Sequence, residues 1–127
     1  MVGRLVRNGA IVSGGTYTPT LTGVSNVAAT TAFLCRYVRV GNQVTVAGQV
    51  NIDPTLAAPT ATSMRMSLPV ASNLANNEDC CGVFATNGFL SSGAVSADAA
   101  NNEASFQFDA ASASNTDFYF TFNYLVI

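Results

Sequence analysis

Between Tyr37 and Ile52 the chain alternates. Val38 and Val40 are separated by Arg39. After Gly41-Asn42, Val44, Val46, Gly48, Val50 and Ile52 fall on one side, with Thr45, Ala47, Gln49 and Asn51 on the other. A period of two marks a half-buried β-strand. The Gly-Asn pair between two such runs predicts a two-residue hairpin loop in which Gly takes the φ > 0 position. The outward face of the second run is small and uncharged. The alternation returns at the C-terminal end, where Phe118, Phe120, Phe122, Tyr124 and Val126 oppose Tyr119, Thr121, Asn123, Leu125 and Ile127. Met64, Met66 and Leu68 share a shorter run, and Phe106 and Phe108 share another. "DPTLAAPT", with Pro54 and Pro59, predicts a loop, and "NLANNEDCCG" reads as turn-rich. Further turns are expected at Asn87-Gly88 and Asn101-Asn102.

No segment carries an apolar stripe of helical period. The pattern predicts an all-β fold, an antiparallel β-sandwich that is jelly-roll-like, with roughly six to eight short strands. Residues 1–15, punctuated by Gly3, Gly9, Gly14 and Gly15, read as an extended N-terminal arm, leaving 16–127 as the sandwich domain. At the junction, Pro19 holds Thr18 extended and removes a ladder donor, which suits a strand entry or an edge. Tyr17 beside it can bury its ring while its hydroxyl reaches a partner. A chain of 127 residues is one domain and can bury a core without a metal or a disulfide.

Charge changes the picture most. Charged residues make up 9%, against roughly 25% in typical soluble proteins, with no Lys and no His. Without His, the Ser–His and Cys–His nucleophile systems are excluded; without Lys, so are Schiff-base and P-loop chemistry. No cofactor is expected, and no enzyme activity. The acids lie mostly in expected turns. Glu78-Asp79 with Asp98 or Glu103 could be drawn together around calcium, but no calcium-loop spacing is present, and solvated turns are the simpler reading. The net charge of −2 gives no reason to expect nucleic acid or an anionic membrane as a partner. "FYFTFNYLVI" falls short of the ~20 apolar residues of a membrane helix, and residues 1–15 lack the apolar centre of a signal peptide. A soluble protein made in the cytoplasm is expected. With so little charge to hydrate a free surface, much of that surface is expected to be covered in an assembly.

Cys35, Cys80 and Cys81 read as buried thiols, with a bridge from Cys35 to Cys80 or Cys81 as the alternative. The alternating phenylalanines read as core rather than as a stacking surface. Arg4 and Arg7, on a partly apolar arm, could dock on an acidic neighbour.

From Gly15 to Thr55, "GTYTPTLTGVSNVAATTAFLCRYVRVGNQVTVAGQVNIDPT" resembles a recurrent bacteriophage virion domain, the β-sandwich modules of tail fibres, tailspikes and other appendages. The elements that carry it are "GTYTPTLT", Tyr37, "RVGNQVTVAGQV" and the Pro-Thr that follows. "SLPVASN" and the aromatic final strand extend it over about residues 14–127. The resemblance implies homotrimers of compact sandwiches.

Those modules usually end a long fibre, whereas here only 15 residues precede the domain and the chain opens on Met1, so a complete gene product is expected. The role this implies is a trimeric capsid cement, or decoration, protein on the virion exterior. It would bind the major capsid protein and clamp neighbouring capsomers. Arg4, Leu5, Val6 and Arg7 are the expected capsid-docking residues, and Thr45, Ala47 and Gln49 the expected trimer contacts. The alternative is a receptor-binding tail fibre or tail tip protein using loops 53–62 and 74–80.

Overall fold

The computed structural model describes residues 3–7, 10–56, 60–87 and 91–127. Its strands are β1 (Gly3–Arg7), β2 (Ala10–Tyr17), β3 (Leu21–Ser25), β4 (Val27–Ala32), β5 (Cys35–Val40) and β6 (Gln43–Pro54). They continue with β7 (Thr60–Met66), β8 (Cys80–Thr86), β9 (Ser92–Asp98), β10 (Glu103–Ala110) and β11 (Thr116–Leu125). A single 3₁₀ turn, Asn77–Asp79, interrupts the long connection before β8. The fold is all-β and antiparallel, as the alternation predicts.

The strands pair in the order β1-β2-β5-β6-β11-β8-β9-β10-β7-β3, with β4 added to β6. β6 organises this sheet. Its first half pairs with β5, its second half with β4 on the same edge, and its whole length with β11 on the other edge. The β5–β6 hairpin turns at Gly41-Asn42, with Gly41 at φ +59, the left-handed conformation expected there.

The sheet curls into a half-barrel. β10 lies three strands from β11, about 14 Å away in a flat sheet at roughly 4.8 Å per strand. Yet the Phe106 and Phe120 ring centroids are 5.3 Å apart, and those of Phe108 and Phe118 are 4.9 Å apart. Opposite walls of one continuous sheet therefore face each other as the two layers of a sandwich. β3 and β4 are one strand broken at Asn26, whose φ of 56 turns the chain. One part pairs with β7 and the other with β6, so this broken strand bridges the two walls of the curl.

The inward faces follow the alternation. Val44, Val46, Val50 and Ile52 of β6, and Phe118, Phe120, Phe122 and Tyr124 of β11, are buried. Gly48 belongs to the same row for a steric reason: a Cβ there would lie 2.5 Å from Cys35 Sγ and 3.3 Å from the Phe120 ring. Phe84 and Phe106 complete the aromatic centre, with ring centroids 5.0 Å apart.

Several local readings shift. The run through Met64, Met66 and Leu68 ends as a strand at Met66, and Leu68 lies in the following segment. Cys80, inside the stretch read as turn-rich, opens β8 and is buried. β6 reaches into the expected loop as far as Pro54, while residues 57–59 and Gly88 lie outside the described residues. The stretch read as an arm contributes β1 and β2. β2 runs unbroken through Gly14 and Gly15 to Tyr17 and pairs with β5.

All three thiols are free, with Cys35 and Cys80 buried and Cys81 exposed. Cys35 packs beside Gly48 and Phe120, whereas Cys80 is level with Tyr124. Those levels are four residues apart on β11, about 13 Å at roughly 3.3 Å per residue, and a disulfide spans less than about 7 Å between Cα atoms. The alternative bridge from Cys35 therefore has no geometry, to Cys80 because of that separation and to Cys81 because Cys81 stands on the exposed face opposite Asn123.

Candidate functional site

The outward positions of β5, β6, β11 and β8 form one surface. Register aligns Arg36, Ala47, Thr121 and Val83 in one row, and Val38, Thr45, Asn123 and Cys81 in the next. The charges on this surface are Arg36 on β5 and, at the end where β11 begins, Asp53 of β6 and Asp117 of β11. Large apolar side chains stand bare on it, including Val38, Val40, Leu125 and Val83, the last 63% exposed. Thr45 and Ala47 are exposed here and Gln49 is half-buried, so the three expected trimer residues share this face. Thr45 Oγ1 donates to Asn123 Oδ1 at 2.5 Å, joining β6 to β11 across the surface.

Arg4, Leu5, Val6 and Arg7 lie on β1, which pairs with β2 at the edge of the same sheet; of their side chains nothing is described. Arg36 and Arg39 point to opposite faces of β5, as alternation requires, and Arg39 Nε donates to the Gly41 carbonyl at 2.8 Å. Arg65 faces Glu103 at 3.2 Å and Asp98 at 3.8 Å, which leaves it neutralised on its own wall.

The two ends of the sandwich differ. At the end where β11 finishes, the chain after β7 folds over the core and is tied down. The Tyr124 hydroxyl accepts from Val70 N at 3.0 Å and donates to Val70 O at 2.8 Å. Ser72 Oγ donates to Leu125 O at 2.6 Å and accepts from Ile127 N at 3.0 Å. The Tyr17 hydroxyl donates to Ser67 O at 3.0 Å, which is the partner its half-buried ring calls for. Burial pushes the Tyr17 hydroxyl well above its ordinary range, and pushes Tyr124 and the Cys80 thiol each up to about 12. These hydroxyls hold the chain after β7 against the end of the sandwich.

Asp79 is likewise structural. Its Oδ2 accepts from Ala75 N at 2.9 Å and Asn76 N at 2.8 Å, and these N–H donors, Asn76 first, hold its carboxyl below the usual range. Among the described residues no three His, Cys, Asp or Glu side chains converge as a metal site. Glu78-Asp79 therefore do not join Asp98 and Glu103 around an ion.

At the end where β11 begins, Phe118 is fully buried and Phe108 nearly so. A cavity of about 480 Å³ opens there, walled by Pro54, Phe108 and Phe118 and reaching Tyr119. Asn87, Asn115 and Asp117 stand on its polar side. Tyr119 is 51% exposed and also borders a shallower groove along Val83 and Ala85. The sequence reading missed this site. It read the acids as lying mostly in turns, without singling out Asp117, and counted Tyr119 only as part of the far face of the last strand. An outward tyrosine two residues from an acid, after the Ser- and Asn-rich "ASASN", was the available signal.

No protein-family model, curated protein or solved structure matches the chain.

Proposed function

We propose that this chain is a structural virion protein of a tailed phage, a trimeric capsid cement protein that clamps neighbouring capsomers from outside. The observation that carries an assembly role is the outer face of β5, β6, β11 and β8, broad, charged only at Arg36 and at Asp53 and Asp117 toward one end, and studded with bare valines. Interface centres are depleted of charge, and apolar patches of this kind on a surface mark contact with other proteins. The phage setting rests on the likeness of residues 15–55 to virion modules. Clamping needs no reactive group. Each subunit offers one modest contact, and tethering three of them makes the later contacts intramolecular.

In this reading Thr45, Ala47 and Gln49 lie within the trimer contact, and the β1 edge with Arg4, Leu5, Val6 and Arg7 meets the major capsid protein. The test is quantitative mass spectrometry of virions together with a capsid pull-down. Cement requires hundreds of copies per virion and capture by empty capsids. Replacing Arg4 and Arg7 together by Ala should weaken capture while the protein stays folded. Removing residues 1–13 would be a poorer test, because it also deletes β1 and the part of β2 that pairs with Arg39 and Val40 of β5.

A receptor-binding tail protein is the second reading, favoured by the open cavity beside Tyr119. A few to tens of copies per virion, with binding to host cells and none to capsids, would decide for it.

A further inference from the structure

The cavity at the start of β11 has two unlike sides. One is apolar, formed by Pro54 and by Phe108 and Phe118, both buried, and it ends at the half-exposed Tyr119 ring. The other is polar and carries one charge, Asp117. Asp117 Oδ1 accepts from Asn51 Nδ2 at 2.8 Å, which fixes the carboxylate, while Oδ2 has no partner among the described residues. The side-chain amides of Asn87 and Asn115 also have no hydrogen-bond partner among the described residues. The hydroxyls deeper in the wall are already used: Thr116 Oγ1 donates to Ser114 O at 2.8 Å, and Thr86 Oγ1 accepts from Ser91 N at 3.1 Å. The groups left free, one carboxylate oxygen and two amides, belong to residues that line the same cavity as Tyr119.

We propose that this cavity binds a neutral saccharide. Its volume lies within the roughly 300–1,000 Å³ of small-ligand sites. A phosphate or other anion would meet Asp117 with no cation beside it, so anions are disfavoured. A metal ion would find one carboxylate and too few further ligands. A wholly apolar ligand would strip water from Asp117 and both amides and return no hydrogen bonds. A neutral pyranose satisfies both sides. Its hydroxyls donate to Asp117 Oδ2 and exchange hydrogen bonds with Asn87 and Asn115, while its C–H face lies on the Tyr119 ring. Asp117 is the one carboxylate lining the cavity. Hydrolysis needs two acids on opposite sides of the glycosidic bond, so the site binds sugar and does not cleave it. The proposal does not depend on where in a virion the protein sits.

The experiment is an amide NMR titration of the full chain with glucose, galactose, mannose, N-acetylglucosamine and their disaccharides. Inorganic phosphate and sialic acid serve as anionic controls. At least one neutral sugar should shift the backbone amides of 115–119 and the side-chain amides of Asn87 and Asn115 saturably, with a dissociation constant on the order of 1 mM. Tyr119→Ala and Asp117→Asn should each weaken binding about tenfold at an unchanged melting temperature, and Tyr119→Phe should keep most of it. The proposal is overturned if no neutral sugar in the panel saturates, if phosphate or sialic acid binds more tightly, or if both variants bind as well as the parent.

Discussion

The two ends of this sandwich hold comparable tyrosines in opposite conditions. Tyr124, at the finish of β11, is 1% exposed, and its hydroxyl is both donor and acceptor to Val70. Tyr119, near the start of the same strand, is 51% exposed, and its ring borders an open cavity. At the first end the chain after β7 serves as a lid, held by Ser67, Val70 and Ser72. At the second end Asn26 ties the β6–β7 connection, with its Nδ2 donating to Leu56 O at 3.1 Å and its Oδ1 accepting from Leu56 N at 2.8 Å, and a cavity opens beside Pro54, Phe108 and Phe118. The first end is closed by hydrogen bonds over Tyr124, whereas the second carries a cavity beside Tyr119.

The largest effect should come from breaking the closed end. Tyr124→Ala removes a ring packed 6.2 Å from Phe122 and both bonds to Val70, and should cost about 3–5 kcal/mol in denaturant unfolding. Tyr124→Phe keeps the ring and strands the Val70 N–H, for a loss of about 1–3 kcal/mol. If that loss were near zero, the lid would be held by packing and by Ser72 instead.

The inner face of the sheet was legible in the sequence because alternation and side-chain volume decide it together. Phe118, Phe120, Phe122 and Tyr124 could face only the core, and Gly41-Asn42 could only turn. What alternation cannot encode is which distant strands meet. The pairing of β11 with both β6 and β8, and the facing of Phe106 on Phe120, depend on curl and strand order. Cys80 was misread because its neighbours Asn76 to Asp79 form a turn, while the residue itself begins a strand. The cavity escaped for the same reason as the strand order. Its residues come from β6, β8, β10, β11 and the loops after β8 and β10, and are brought together only by the fold.

Titration separates the ends as well. Burial raises Tyr124 and Cys80 to about 12, above unfolded values of 10.0 and 9.0. A group with a raised folded value supports stability fully below its unfolded value, and that support is lost as pH climbs toward the folded one. The melting temperature should therefore fall progressively above pH 9.0, and Tyr124→Phe should flatten part of that fall. Asp79 has the opposite sign. Its lowered folded value gives stability that is present near neutral pH and is lost in acid, and Asp79→Asn should reduce the acid-side loss. Thermal melts across pH check both arms, and a flat alkaline arm would contradict the buried-phenol account.

The outer face offers a smaller, selective perturbation. Ala47→Glu places a carboxylate opposite Arg36, a cross-strand pair worth a few tenths of a kcal/mol to the monomer, on the order of the weakest such pairs. In an assembled face the same charge would be desolvated. Sedimentation velocity should show parent trimers and Ala47→Glu monomers with nearly equal melting temperatures. A trimer that survives the substitution places the contact elsewhere.

The smallest stability effect should be at Tyr119. Truncating it to Ala removes a ring that water already half surrounds, and the change in unfolding free energy should stay within about 0.5 kcal/mol. Set against about 3–5 kcal/mol for Tyr124→Ala, the contrast measures how unequally one strand spends its two tyrosines. It also makes a control for ligand binding, because a loss of sugar affinity in Tyr119→Ala cannot then be charged to unfolding. A loss of 2 kcal/mol or more, as a core residue would show, would mean that Tyr119 covers Ala85 and Val83 as structure, and that the open end is more closed than its exposure implies.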